Sequence, residues 1–221
     1  MKIHLNGIDI FYKKTGQGPA LILLHGVEVD HTIFDKLTEK LKEHFTVYAL
    51  DSRNHGQTDK TTDYSYKIMA DDVAAFIKEL NLGKVNLLGF SDGSVIALHV
   101  VLAHMELIEK VALCGLNLKP TDLKPRSLDY FQKKYDETGD YLYGLILDEP
   151  QLETQVLNTI TIPVFLTAAE REMFRDGLFE EMWEAFPDVR GKIMEGHKHD
   201  TYIIDQDILY PDLLAFFGEQ A

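Results

Sequence analysis

The 221-residue sequence has one cysteine, one tryptophan, and 22 lysines and arginines against 36 aspartates and glutamates. Cys114 has no partner for an intrachain disulfide, and its place in the apolar run VALCGL reads as a buried strand end. A reducing compartment, the cytoplasm, is therefore expected. The formal charge of −14 sets up a field that repels phosphate backbones and anionic membrane surfaces, which argues against a nucleic-acid partner. No apolar run approaches the roughly 20 residues that a membrane-crossing helix needs. The start, MKIHLNGIDIF, alternates apolar and polar residues around Asn6-Gly7, as a hairpin does, and lacks the continuous apolar stretch of a signal peptide. There is no P-loop, no dinucleotide fingerprint, no internal repeat and no low-complexity tract. His31, His44, His99 and His104 share no ligand spacing with aspartate or glutamate, so neither a metal nor a cofactor is expected.

What the chain does have is 45% hydrophobic residues, enough for one well-buried core and too few positions for two full-sized domains. A single domain over 1–221 is expected. Short apolar runs recur at 21–25, 45–50, 84–90, 110–115, 163–169 and 191–195 and read as strands. Segments of helical period lie at 32–43, 65–80, 92–104, 175–186 and 206–217, the second closed by Gly83. Alternating strands and helices, with strands too apolar to face water, predict an α/β fold: a mostly parallel central sheet flanked by helices on both sides. Ligands in such sheets bind beyond the carboxyl ends of the strands. Residues 117–160, with three prolines, many charges and no clear strand, interrupt the alternation and are expected to be a short helical cap or lid.

The run KVNLLGF leads directly into Gly89-Phe90-Ser91-Asp92-Gly93 and then into the apolar helix SVIALHVVLAH. A serine on so sharp a strand-to-helix turn needs small residues two positions to either side, because the turn crowds them. This is a nucleophile elbow in its required context. A serine hydroxyl near neutral pH is a poor nucleophile, so it needs a base within hydrogen-bond reach and a third group to orient that base.

Around this elbow the chain resembles the α/β-hydrolase family over most of its length and in the family's order. LILLHG at 21–26 looks like the strand and His-Gly turn before the oxyanion loop, and DSRNHGQTD at 51–59 is similar to the family's D-x-R-G-H-G-x-S segment. TIPVFLTAAEREM at 161–173 resembles the strand and turn that deliver a catalytic acid, and GHKHDTY at 196–202 resembles the loop that delivers the histidine. The resemblance implies a small serine esterase-like member with a short cap and the residue order Ser, acid, His. Ser91 is the implied nucleophile. His199, followed three residues later by the aromatic Tyr202, is preferred as base over His197. Glu172 matches the acid's position, with Glu170 and Asp176 as alternatives. The oxyanion donors that the resemblance implies are the backbone N–H groups of Val27 and Asp92. His25, Arg53 and His55 are expected to hold loops together. The Asp92 side chain reads either as a helix-start carboxylate or as a group facing the pocket. Trp183, in FEEMWEAF, is expected to pack against the sheet.

Departures from the family pattern gather near the expected site. Asn54, Ala169 and Ser94 stand where glycines are preferred, and the oxyanion loop reads Gly26-Val27-Glu28-Val29-Asp30. Ala169 at positive φ would cost about 1 kcal/mol, so strain or a shifted backbone is expected, in a pocket reshaped by divergence or engineering. The expected reaction is cleavage of a small carboxylic ester, a small-molecule substrate, through an acyl-enzyme. The alternatives are another acyl transfer, amide, thioester or carbon-carbon bond cleavage, or perhydrolysis by the same residues, or a catalytically silent ligand-binding member. Oligomeric state does not follow from sequence.

Overall fold

The computed structural model describes residues 1–218. The strands are β1 (Lys2–Leu5), β2 (Ile8–Thr15), β3 (Ala20–Leu24), β4 (Thr46–Leu50), β5 (Val85–Phe90), β6 (Ile108–Cys114), β7 (Val164–Arg171) and β8 (Val189–Lys198). The helices are α1 (Asp35–Leu41), α2 (Tyr66–Glu79), α3 (Asp92–His104), α4 (Pro125–Thr138), α5 (Tyr141–Asp148), α6 (Leu178–Ala185) and α7 (Tyr210–Gly218). One eight-stranded sheet runs in the order β1-β2-β4-β3-β5-β6-β7-β8. From β4 to β8 along the sheet every pairing is parallel; β2 pairs antiparallel with both β1 and β4, so it alone runs against the other strands. The expected α/β architecture is what forms.

Both faces of the sheet are covered, as the continuous apolar runs require. Ile22, Leu24, Leu50, Leu87, Val111 and Leu166 share one core with Phe76 of α2 and Val95 and Leu98 of α3. Their neighbours along the strands, Leu21, Leu23, Val47, Leu88, Ala112 and Phe165, join Leu37 of α1 and Phe216 of α7 in the other. The strand period of two thus splits each apolar run between two helix layers. At the sheet's antiparallel end, Asn6 (φ +48) and Gly7 (φ +82) make the tight left-handed turn of the predicted hairpin.

Element boundaries move where local chemistry intervenes. The expected helix at 32–43 opens as a 3₁₀ turn, His31–Phe34, capped by Asp30, before α1 begins. Ser65 caps α2 by accepting from the Ile68 N–H at 3.1 Å. That helix stops before Gly83, because Asn81 already turns left-handed at φ +51. The helix expected from 175 begins only at Leu178: Gly177 takes φ +83, and Arg175 pairs with Asp122 at 2.9 Å.

Residues 117–160 contain α4, α5 and two 3₁₀ turns and no strand. The base of this excursion is stitched to the turn after β7: Lys124 N–H donates to Met173 O at 2.8 Å, and Arg175 N–H to Asp122 O at 2.7 Å. The buried Asp122 carboxylate also accepts from the Leu118 and Lys119 N–H groups, each at 2.9 Å.

Candidate active site

Ser91 occupies the junction between β5 and α3 at φ +53, ψ −121, a conformation that non-glycine residues rarely adopt. Tertiary crowding explains its neighbours. A Cβ on Gly89 would collide with the Gly93 carbonyl, and one on Gly93 with the Leu24 carbonyl of the adjacent strand. The turn is fastened to β6 by the Ser91 N–H donating to Cys114 O at 2.8 Å. Ser94, where the family pattern favours glycine, is fully buried. Its hydroxyl lies 2.7 Å from Gly89 O and 2.8 Å from Cys114 O, and it accepts from the Cys114 N–H at 2.9 Å.

The three residues singled out for chemistry meet although 108 positions separate Ser91 from His199. His199 Nε2 lies 2.9 Å from Ser91 Oγ, and His199 Nδ1 lies 2.6 Å from Glu172 Oε2. An ionised carboxylate only accepts, so the proton between His199 and Glu172 sits on Nδ1 and leaves Nε2 to accept from the serine hydroxyl. Glu172 follows β7 and also accepts from the Ala169 N–H at 3.0 Å and the Met173 N–H at 3.1 Å. Burial pushes its carboxyl up, but the His199 charge and these hydrogen bonds hold it below the usual carboxylate range. The imidazole lies between Phe90, at a ring separation of 5.1 Å, and Phe174, at 5.3 Å edge-on.

The competing residues are committed elsewhere. His197 pairs with Thr201 Oγ1 at 3.2 Å, Glu170 accepts from the Gly196 N–H at 2.6 Å, and the exposed Asp176 pairs with Lys124 at 2.9 Å. Val27 lines the cavity above Ser91, and Asp92 opens α3. Despite that helix N-terminus, burial pushes the Asp92 carboxyl up to about 7, against the lowering influence of a Tyr66 hydrogen bond and the His199 charge. The buried His25 shares a proton with Gly26 O at 2.7 Å through Nδ1 and accepts from the Ser52 N–H at 3.1 Å. Burial, with His55 nearby, depresses it to about 4. Arg53 Nε pairs with Asp72 at 2.5 Å, and His55 Nδ1 lies 2.8 Å from Arg53 O. Trp183 is half-buried, and its ring lies 5.6 Å from that of Phe179 in its own helix.

Two expectations about the departures part ways. Asn54 does take the left-handed region, at φ +66, and its Oδ1 accepts from the Thr61 N–H at 2.7 Å. Ala169 does not: it lies within β7, outside the positive-φ residues, so the strain expected there is absent. In the loop after β3 it is Glu28 that takes the left-handed region, at φ +61, as Ser91 does at the elbow. Sequence spacing also overlooked that His31, Asp30 and Asp51 converge, with candidate ligand atoms within 4.8 Å of one another. Protein donors already engage this corner. His31 Nδ1 lies 2.7 Å from Asp51, which also accepts from the His31 and Gln57 N–H groups, and Asp30 accepts from Thr32.

A cavity of about 300 Å³ opens over Ser91 and His199, lined by Val27, Glu28, Tyr130, Phe131, Met173 and Ile204 among others. The two α4 residues and Met173 were not anticipated as site residues, because only folding brings the excursion over the sheet. Gly115 was missed too. It takes φ +65 at the end of β6, and a Cβ there would press on His199 Cε1 at 2.7 Å. The glycine that closes the run KVALCG was its only sequence signal.

Residues 19–148 match the family model described as the alpha/beta hydrolase fold. Among curated proteins, a Haemophilus influenzae protein provisionally named as an esterase/lipase is 34% identical over 108 residues, 49% of this chain and 38% of that protein. The 2-(acetamidomethylene)succinate hydrolase of Mesorhizobium japonicum is 30% identical over 111 residues, 50% of this chain and 40% of its own length. The matched stretches thus span well under half of these relatives. Among solved structures, an esterase from Exiguobacterium antarcticum superposes with a TM-score of 0.84 at 20% identity, covering 97% of each chain. The enol-lactonase of Burkholderia xenovorans superposes with a TM-score of 0.81 at 17% identity, covering 99% of this chain and 100% of that one. With a family model matched over more than half of its residues and the sheet, elbow and helix layers described above, the chain belongs to the α/β-hydrolase fold family.

Proposed function

We propose that this protein is a serine hydrolase that cleaves small carboxylic esters through an acyl-enzyme on Ser91. The observation that carries the reading is the continuous path Ser91 Oγ to His199 Nε2 at 2.9 Å and His199 Nδ1 to Glu172 at 2.6 Å. Related proteins named as esterases and hydrolases point the same way.

In this reading His199 accepts the hydroxyl proton as Ser91 Oγ bonds to the ester carbonyl carbon, and Glu172 stabilises the imidazolium that results. Charge develops on the carbonyl oxygen, where the backbone N–H groups of Val27 and Asp92 serve as donors. Collapse of the tetrahedral intermediate breaks the ester C–O bond, with the His199 proton passing to the departing alkoxide. Water, deprotonated by the same imidazole, then releases the acid and restores Ser91. The helical excursion serves as a small cap, and the roughly 300 Å³ cavity beneath it favours compact acyl groups over long lipid chains. The fold is used as one domain with this cap inserted, and the lone buried Cys114 fits a reducing, cytoplasmic setting.

Intact-mass analysis after exposure to a fluorophosphonate, run beside p-nitrophenyl acetate turnover, tests the reading. Labelling and turnover are expected in the parent and in His197→Ala, and neither in Ser91→Ala or His199→Ala. A parent that takes no label would leave ligand binding without turnover as the better description.

A further inference from the structure

Glu28 combines three features. Its φ is +61, a conformation that favours glycine or asparagine. It directly follows Val27, whose N–H the proposed reaction uses. Its carboxylate is held by two phenols from two different helices of the excursion: Tyr143 of α5 donates a short hydrogen bond to Oε1, and Tyr130 of α4 donates to Oε2 at 3.4 Å. Tyr143 is buried, and its hydroxyl pKa is pushed up because Glu28 holds the proton. Glu28 and Tyr130 also line the cavity over Ser91.

We propose that Glu28 is a positioning residue: through Tyr143 and Tyr130 it locks the cap onto the oxyanion loop and thereby sets the Val27 N–H for the transition state. The proposal rests on the ester-hydrolysis reading above. The backbone between residues 27 and 29 has no glycine to make its left-handed bend intrinsically easy, so the bend persists because tertiary contacts hold it. An amide that meets charge only in the transition state affects turnover more than substrate binding. Misplacing the loop therefore lowers kcat and leaves KM nearly in place. Losing an oxyanion donor outright costs about 10²–10³ in kcat, so a displaced donor is expected to cost about tenfold.

Three single variants and a double separate this role from a merely structural one. Glu28→Asn keeps a residue that tolerates the left-handed backbone but is too short to reach the phenols. Glu28→Gln keeps the length and an acceptor oxygen. Tyr143→Phe removes the donor. With p-nitrophenyl acetate, E28N and Y143F are each expected to lower kcat about tenfold with KM within about threefold, and E28Q to recover part of the loss. The E28N/Y143F double variant should be no worse than either single, since both break one connection. Fluorophosphonate labelling rates should fall in parallel, at a temperature well below each variant's melting point. Unchanged kcat, a loss confined to KM, or losses that multiply in the double variant would overturn the proposal while leaving a labelled parent, and so the hydrolase reading, intact. A parent that takes no label at all would overturn both.

Discussion

On one side of Ser91 the proposed acid is held from close at hand: Glu172 accepts backbone N–H groups from Ala169 and Met173, within three residues of itself. On the other side, Glu28, next to the proposed oxyanion donor Val27, is held by phenols 102 and 115 positions away. The first arrangement is stiff by local construction, because a strand end and its turn supply the donors. The second depends on how an inserted helical pair docks. In the proposed mechanism the acid-base geometry is therefore a property of the sheet, and the oxyanion geometry a property of the sheet and the helical excursion together.

The sharpest way to test the base side is to remove its members. Ser91→Ala and His199→Ala are expected to lower kcat for p-nitrophenyl acetate by at least about 10³-fold, and Glu172→Gln by about 10²–10⁴-fold, with His197→Ala within about twofold. An equal loss in His197→Ala would mean that the histidine assignment is reversed. These losses should exceed the tenfold effect expected on the Glu28 side, and a larger loss there would invert the comparison.

Next in size is a stability effect at the elbow shared by both sides. Gly93→Ala sets a Cβ against the Leu24 carbonyl of β3, a collision with backbone that no rotamer relieves. A loss of about 3 kcal/mol or failure to fold is expected by chemical denaturation, against a much smaller loss for Gly139→Ala, where space is open but φ is +63. For that control the left-handed backbone alone costs about 1 kcal/mol.

Asp92 sharpens the comparison through pH. Its folded pKa of about 7 stands above the ordinary 3.8, so the folded state binds the proton more tightly than the unfolded one. Stability contributed by the protonated group is present at low pH and is lost as pH rises through about 7. Asp92→Asn should therefore be more stable than the parent at pH 8, by about 1–2 kcal/mol after allowing for the partial exposure of the side chain, with the gap narrowing as pH falls from about 7 toward 3.8. A constant gap across this range would show that Asp92 does not titrate there. Glu172 has the opposite sign. Its folded pKa lies below 4.5, so its contribution is present above that value and is lost as pH falls through the depressed one.

The smallest effects concern the glycine-replacing positions. Ala169→Gly is expected to lower stability by about 0.5–1 kcal/mol, since Ala169 sits in a strand without positive φ and glycine adds only chain entropy. Asn54→Gly trades relief at φ +66 against the hydrogen bond to Thr61 and should be nearly neutral in a thermal melt. A gain at Ala169 would revive the idea of a recently reshaped backbone.

Much of the candidate site's geometry was legible before folding because strand-elbow-helix is a local pattern. The run of apolar residues, then Gly-Phe-Ser-Asp-Gly, then an apolar helix, can be satisfied in few other ways, and Ser91 duly sits at φ +53. The loop residues Glu172 and His199 were readable from their place after apolar runs and their resemblance to family segments. What could not be read was crowding. Gly115 makes room for an imidazole 84 positions later, and Tyr143 closes on Glu28 across 115 positions. Ala169 lacks the positive φ expected of it while Glu28 has one, because φ is set by what the neighbouring elements press against and residue type alone does not report that.

Taken alone, the sequence determined the layered sheet, the alternation of its two cores and the position of the serine, all of which follow from periods of two and 3.6 residues and from short-range steric demands. Only the tertiary structure decided which carboxylate turns toward His199, which residue bears the left-handed strain, and how the excursion seats on the oxyanion loop. These depend on distances between segments far apart in the chain, which no local period encodes.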